Sequence, residues 1–175
     1  LAENFKNLKI VPVSISYEYD PCDYLKAQEF QQKRDNPDYL KTEKDDLKQM
    51  GEGLRGRKGH VHFAFGQPII NELDVLKDIN GKNDKFEFLA GLIDKHVHEN
   101  YHLWPGNWVA WDILNDSNEY NDQYTAEEKE TFLGYIEEHL DRIEGDRDFL
   151  RKILLEMYAN PVVNKREILE RAVIK

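Results

Sequence analysis

The sequence contains a single cysteine, Cys22, among 175 residues. One cysteine excludes an internal disulfide and a zinc site built on cysteine pairs, and it fits a reducing compartment. No stretch approaches the roughly 18 consecutive apolar residues of a membrane span, and no signal peptide is recognisable. The sequence also opens without methionine, on LAENFKNLK, which predicts the end of a helix that leads into a strand. We therefore expect a soluble segment, and a fragment of a longer protein.

Positive charge is scarce in one part of the chain. The window from Asp112 to Asp148 holds 13 acidic and three basic residues, so it carries the whole net charge of −10. Such a surface disfavours nucleic acid as a partner and is repelled by anionic lipid. The ordinary interpretation is a solvated helical face that keeps the protein soluble.

The strongest strand signal lies in residues 10–20, IVPVSISYEYD, where β-branched and aromatic residues alternate with small or polar ones. The alternation predicts a core face made of Val11, Val13, Ile15, Tyr17 and Tyr19. The opposite face is small and partly polar. A second alternating strand, HVHFAF, follows Gly59.

Two helices are expected between the strands. The first begins with Asp20 as N-cap and Pro21 as first helical residue. The second runs from Thr42 to about Arg55, with Leu47, Met50 and Leu54 at i, i+3, i+7 spacing. A connection this long favours an α/β sheet over a hairpin. From residue 71 onward only helices are expected. Pro105 can begin one of them, the capping box at Thr125 and Glu128 opens another, and Asn160-Pro161 starts the last. The predicted architecture is an α/β portion over residues 1–70 and an all-helical region over residues 71–175.

His98, Glu99 and His102 match H-E-x-x-H, the helix motif of zinc peptidases in which two histidines share one face and the glutamate is the general base. Glu119 is the available third ligand. Pro105 stands three residues after His102, so we expect the helix to end across the motif. The ordinary interpretation is a pair of histidines near a helix end, and a zinc-dependent hydrolase is the alternative.

A second motif, GEGLRG at residues 51–56, satisfies G-x-G-x-x-G but follows a helix and precedes a strand. That order is the reverse of a dinucleotide-binding turn, so dinucleotide binding is not expected. Arg55, Arg57 and Lys58 form the densest basic cluster of the chain. They either contact a phosphate, which the neighbouring glycines would let approach the backbone, or are solvated residues of a helix end.

Taken as a whole, the sequence resembles the C-terminal half of bacterial phospholipid/glycerol acyltransferases, the family of 1-acylglycerol-3-phosphate acyltransferase. The runs that carry the resemblance are KIVPVSISYEYDPCDYLKAQEF, GLRGRKGHVHFAFGQPI, NYHLWPGNWVAWDIL and LEMYANP. Val11, Pro12 and Val13 lie in the position of the family's fourth sequence block, a short hydrophobic strand with a proline. In the family this block helps to shape the acyl-binding side of the site.

The resemblance implies transfer of an acyl group from acyl-CoA or acyl-carrier protein to a glycerophosphate or lysophospholipid hydroxyl, in phospholipid biosynthesis. The family's base is a histidine in a His-x4-Asp block, and no such pair occurs here. We therefore expect no catalytic residue and no metal or cofactor in this segment, which should be inactive alone. Its partners would be the missing N-terminal catalytic half, a lipid or acyl-thioester substrate and, in the full-length cytoplasmic protein, a membrane surface. A helical interaction module is the remaining alternative.

Overall fold

The computed structural model describes residues 2–173. It is a mixed fold that is mostly helical, 62%, with a small antiparallel sheet of two strands. The strands are β1 (Val13–Tyr17) and β2 (Val61–Phe65), and a 3-10 helix spans Glu72–Lys77. The α-helices are α1 (Ala2–Leu8), α2 (Asp23–Asp35), α3 (Glu43–Arg55), α4 (Lys82–Glu99), α5 (Pro105–Leu114), α6 (Ala126–Leu140) and α7 (Arg147–Val173).

The described residues divide into two compact units, each built from separate parts of the chain. The first unit takes the residues up to Ser16, those from His62 to His102 and those from Asn164 onward. The second unit takes Tyr17–Val61 and Leu103–Val163. The domain boundary at residue 70, proposed from the sequence, stays a prediction.

The first unit has a small core where α1 and the 3-10 helix pack together beside α4. Its fully buried members are Ile69, Leu73 and Leu76. Phe5 of α1 contacts Phe86 of α4 edge to face, with ring centroids 5.8 Å apart. At the surface of this core, the Asp74 carboxylate accepts from the ammonium groups of Lys6 and Lys77. These two salt bridges link α1 to the 3-10 helix.

The second unit has the larger core, which α6 and α7 build with α5 and α2. Its buried side chains include Val109, Phe132, Ile136, Leu140, Leu150 and Leu154. The predicted capping box at the start of α6 is confirmed, because the Thr125 hydroxyl accepts from the backbone N–H of Glu128 and the Glu128 carboxylate accepts from the backbone N–H of Thr125. This cap fixes where α6 begins, and hence which of its residues face inward.

The two strands pair directly with each other, although α2 and α3 lie between them in the sequence. Backbone hydrogen bonds from Glu18 to His60 and from Gly66 to Pro12 set an antiparallel register. Directly opposed residues in such a pair share a face. Val13 therefore lies beside Phe65, and Ile15 beside Phe63.

The prediction of which β1 face is core was wrong for the strand itself. Ser14 and Ser16 are buried, whereas Val13, Ile15 and Tyr17 are exposed. The polar face is held inward because the Ser16 hydroxyl accepts the backbone N–H of His102, 2.9 Å away. Period-two alternation identifies two faces but does not say which one the rest of the protein covers.

Two helix boundaries also differ from expectation. Asp20 Oδ1 accepts the backbone N–H of Cys22 and closes a turn before the helix, so α2 begins at Asp23 rather than Pro21. Pro161 lies inside α7 instead of starting a new helix. A proline there leaves the Met157 carbonyl, four residues earlier, without its helical donor. The Asn107 amide donates to the next carbonyl, that of Tyr158, 2.8 Å away, and so ties the start of α5 to this turn of α7.

Candidate functional site

Val11, Pro12 and Val13 do not share one environment. Val11 and Val13 are exposed, and Pro12 is buried. The Pro12 carbonyl accepts the backbone N–H of Gly66 at 2.9 Å, and a Cβ added to Gly66 would lie 3.3 Å from that oxygen. Only the two valines can therefore offer apolar surface to another molecule.

The exposed valines belong to a larger apolar surface, which we call the open sheet face. It consists of Val11, Val13, Ile15, Phe63 and Phe65, and Phe65 is 72% exposed. Contiguous apolar surface of this kind marks an interaction site. Within residues 2–173 the sheet has no third strand, so both of its edges also lack a strand partner.

The basic cluster is split by the structure. Arg57 places its guanidinium over the ring of Tyr19, 4.9 Å from the ring centroid. The Lys58 ammonium donates to the carbonyls of Leu54 and Gly56 at the end of α3. Arg55 is exposed on the last turn of α3. Arg57 lines a pocket of about 130 Å³, and Arg55 and Lys58 are not part of its lining.

That pocket is lined by His139, which sequence reasoning missed. The imidazole is 6% exposed, and its Nδ1 lies 2.5 Å from Oδ1 of Asp23, a carboxylate with no exposed surface. Because an ionised carboxylate only accepts hydrogen bonds, Nδ1 carries the proton. In the neutral ring the other nitrogen, Nε2, is then the basic atom.

Asp23 is satisfied by further donors. The hydroxyls of Tyr135 and Tyr158 each lie 2.7 Å from its Oδ2, and the backbone N–H of Tyr24 donates to its Oδ1. Burial, and then the charge of Asp23, raise the pKa of both tyrosines well above the ordinary value, so both stay neutral donors. The carboxylate is thus a fixed, fully bonded anion that orients His139.

The rest of the pocket carries charges of both signs. Arg142 forms an ion pair with Glu138 at 3.1 Å and lies over the ring of Tyr24. Glu138 and Glu52 line the pocket with the two arginines. A small anion that entered would meet Arg57 and Arg142 beside the His139 ring, in competition with the glutamates. The arrangement can bind a small polar group and exchange a proton with it.

The H-E-x-x-H residues are not arranged as a zinc site. Helix α4 ends at Glu99, so His102 lies beyond it and does not share a helical face with His98. The His102 ring instead lies against His62, with centroids 4.9 Å apart. Burial first, then the neighbouring His62, lowers the pKa of His102. Across residues 2–173 no cluster of three or more histidine, cysteine, aspartate or glutamate side chains could hold a metal ion.

One signal in the sequence could have located His139. It lies seven residues after Phe132 and three after Ile136, so it falls on the buried stripe of α6. A histidine on an apolar stripe needs a buried partner. Its partner Asp23 gave no such signal, because an acidic residue in the first turn of a helix is ordinary.

Measured against the thickness of a bilayer, none of the helices between residues 2 and 173 combines the length and the apolar character of a membrane span. Comparison with known proteins gave no match to any family model, any curated protein or any solved structure.

Proposed function

We propose that this chain is the C-terminal part of a glycerophospholipid acyltransferase. The enzyme would move an acyl group from acyl-CoA or acyl-carrier protein to the hydroxyl of a glycerophosphate or lysophospholipid. In this proposal the base that deprotonates the hydroxyl belongs to the N-terminal half, since the chain contains no His-x4-Asp pair. The segment has no turnover alone.

The observation that carries the proposal is the open sheet face. A two-stranded sheet with one apolar face exposed and no third strand is stable only at the margin in water. It is what remains of a larger α/β sheet when the neighbouring strands and the covering layer belong to another part of the protein. Val11 and Val13 then form part of the wall on the acyl side of the site.

The pocket beside His139 is the proposed place for the acceptor's phosphate. Arg57 and Arg142 supply two guanidinium groups, which suit phosphate oxygens because their donors form a planar fork. The volume of about 130 Å³ suits a small polar head group. Arg55 and Lys58, which the sequence grouped with Arg57, lie outside the pocket lining and serve as comparisons.

Transfer assays test the proposal directly. Labelled palmitoyl-CoA and glycerol 3-phosphate are incubated with this chain and with the full-length protein; only the full-length protein should give product. In that protein Ile15→Asp, on the open sheet face, should abolish transfer, and Val75→Asp, at an exposed position of the 3-10 helix, should not. Two results would refute the proposal. One is acyl transfer by this chain alone. The other is absence of acyl transfer by the full-length protein with both a glycerophosphate and a lysophospholipid as acceptor.

The head-group pocket has a separate test. Glycerol 3-phosphate is titrated into the chain while the side-chain resonances of His139 are followed by NMR. Loss of a hydrogen bond to a charged group should weaken binding roughly tenfold in Arg57→Ala. Arg55→Ala is the control and should bind as the parent does. Equal effects of the two substitutions would show that the pocket does not hold the phosphate.

A second candidate function places the base within this chain. The specific observation is the Asp23–His139 pair, which has the geometry of a general base whose carboxylate partner fixes the tautomer. If His139 is the base, His139→Gln in the full-length protein should lower the kcat of acyl transfer by a factor on the order of 10² to 10⁴. If His139→Gln leaves kcat unchanged and raises only the KM for the acceptor, His139 has a role in binding and not as the base.

A further inference from the structure

One wall of the pocket beside His139 is built by the end of α6. Tyr135, Glu138 and His139 share a face of this helix, at offsets of three and four residues, and Arg142 follows just after the helix ends. The Arg142 guanidinium donates to the Glu138 carboxylate at 3.1 Å. These two opposite charges cancel, so this wall carries no net charge while His139 is neutral.

The opposite wall comes from the end of α3, where two opposite charges are not paired. Glu52 lies in the last turn of the helix, and Arg57 follows the helix. Between them, Gly56 donates its backbone N–H to the Glu52 carbonyl at 2.7 Å, and a Cβ added to Gly56 would lie 2.4 Å from the Cβ of Pro21. This close packing fixes the turn that carries both charges. Within residues 2–173 neither Glu52 nor Arg57 forms a salt bridge, and the Arg57 guanidinium contacts the ring of Tyr19.

The free nitrogen of His139 adds a hydrogen-bond acceptor to the pocket. Its Nδ1 donates to Asp23, so Nε2 of the neutral ring has a lone pair and no proton. A ligand beside Nε2 must therefore supply a donor. A phosphate group alone supplies none when it is fully ionised, and it also meets the carboxylates of Glu52 and Glu138. A ligand that carries both an anion and N–H donors matches every polar group of the lining.

We propose that the pocket selects a zwitterionic head group, and that the acceptor is a lysophospholipid with a phosphoethanolamine head group. The phosphate accepts from the guanidinium groups of Arg57 and Arg142, and the primary ammonium donates to the Glu52 carboxylate and to Nε2 of His139. Two carboxylates against two guanidinium groups favour a ligand without net charge over an anionic one. This assignment rests on the proposed function, in which the pocket holds the head group of the acceptor.

A choline head group fits this lining less well. Its quaternary ammonium has no N–H to donate, and proteins bind such groups in cages of aromatic rings. The lining offers the rings of Tyr135 and His139, and both of these residues are hydrogen-bonded to Asp23. The three added methyl groups would also have to enter a volume of about 130 Å³.

Titration of soluble head groups into this chain tests the proposal. Glycerophosphoethanolamine, glycerophosphocholine and glycerophosphoglycerol share a glycerophosphate diester, and they differ in carrying a primary ammonium, a quaternary ammonium or only hydroxyls. Binding is followed through the side-chain resonances of His139 by NMR. We expect glycerophosphoethanolamine to bind roughly tenfold more tightly than the other two, the value of one hydrogen bond between charged groups.

Glu52→Gln isolates the ammonium contact, because the amide keeps the shape of the side chain and removes its charge. It should lower the affinity for glycerophosphoethanolamine to that for glycerophosphoglycerol, and it should leave glycerophosphoglycerol binding unchanged or tighter. Arg57→Ala should instead weaken all three ligands. Glu130→Gln, at an exposed position of α6 outside the pocket, is the matched control and should bind as the parent chain does.

The full-length protein gives a second readout. Its kcat/KM for acylation of lysophosphatidylethanolamine should be roughly tenfold above that for lysophosphatidylcholine, the same factor as in binding. Glu52→Gln should remove this difference.

Three results would overturn the proposal: equal binding of the three head groups, a preference that Glu52→Gln leaves intact, or equal weakening of all three ligands by Glu52→Gln. If glycerol 3-phosphate still binds and Arg57→Ala weakens it, the pocket keeps its assignment as the phosphate site and only the selectivity is wrong. If no head group and no glycerol 3-phosphate shifts the His139 resonances, the selectivity and the head-group pocket are both refuted.

Discussion

The imidazole of His139 donates from Nδ1 to the fully buried carboxylate of Asp23, so α6 is joined to α2 through two residues that are 116 positions apart in sequence. The same carboxylate collects the hydroxyls of Tyr135 and Tyr158. His139, Tyr135 and Tyr158 therefore share one buried acceptor, the Asp23 carboxylate. Asp23 is the centre of the buried polar network of the second unit.

Asp23→Asn should destabilise the chain by about 3 kcal/mol, because it removes one partner of a buried pair and leaves three donors around a neutral amide. Urea denaturation followed by circular dichroism measures the loss. Asp38→Asn, at an exposed site, is the control and should change the free energy of unfolding by less than about 0.5 kcal/mol. Equal stability of the two variants would mean that Asp23 is not the centre of the network.

The two inward serines of β1 should respond oppositely to loss of their hydroxyls. The Ser14 hydroxyl is buried and has no hydrogen-bond partner among the described residues, so Ser14→Ala should be neutral or stabilise by up to about 1 kcal/mol. The Ser16 hydroxyl accepts from the backbone of His102, so Ser16→Ala should destabilise by about 1 kcal/mol. Thermal unfolding of both variants compares them, and a greater loss in Ser14→Ala would contradict the assignment.

Local patterns identified much of the secondary structure. The capping box at Thr125 marked the start of α6, and Pro105 marked the start of α5. Both signals depend on neighbours within four residues, which a sequence displays directly. The mixed character of the fold followed from the same kind of evidence.

The sequence did not predict which way the apolar stripes face or which distant residues pair. Val13 and Leu47 lie on well-formed apolar stripes, yet both face outward, because the stripe alone does not say where the covering layer is. The Asp23–His139 pair was missed since nothing local links residues on α2 and α6. The spacing of His98 and His102 matched a metal-binding helix motif. Because α4 ends at Glu99, between them, the two histidines do not share a helical face.

Acid should weaken the first unit through Asp74. Hydrogen bonds from Lys6 and then Lys77 lower the pKa of this carboxyl from 3.8 to about 2. A folded-state pKa below the unfolded value stabilises the fold above about pH 4, and this contribution is lost as the pH falls towards 2. Carbon-detected NMR titration of the carboxyl should give a midpoint near 2. A midpoint near 4 would show that the two lysines do not hold it.

The same contribution should disappear in Asp74→Asn. That variant is expected to show a smaller loss of stability between about pH 4 and pH 2 than the parent chain. Asp78→Asn, four residues further on, is the control and should follow the parent curve. Parallel curves for the parent and Asp74→Asn would contradict the linkage.

The Asn107 side chain should contribute more to the free energy of unfolding than an ordinary helix cap does. Its side-chain oxygen accepts the backbone N–H of Trp104 at 2.7 Å, and its amide donates to the carbonyl of Tyr158, one turn before Pro161. Asn107→Ala should therefore destabilise by about 2 kcal/mol, the sum of a lost cap and a buried carbonyl left short of a donor. Asn115→Ala, which removes only an exposed contact to the carbonyl of Trp111, is the control.

Pro161→Ala tests whether the proline and Asn107 support α7 separately. An alanine N–H at this position reaches the Met157 carbonyl, four residues earlier, so the single substitution should be neutral or stabilising. Asn107 donates to a different carbonyl, that of Tyr158, so Asn107→Ala should cost nearly the same in both backgrounds. Urea denaturation of the four proteins gives the coupling free energy. A coupling of about 1 kcal/mol or more would contradict this, and would show that Asn107 compensates for the donor that Pro161 lacks.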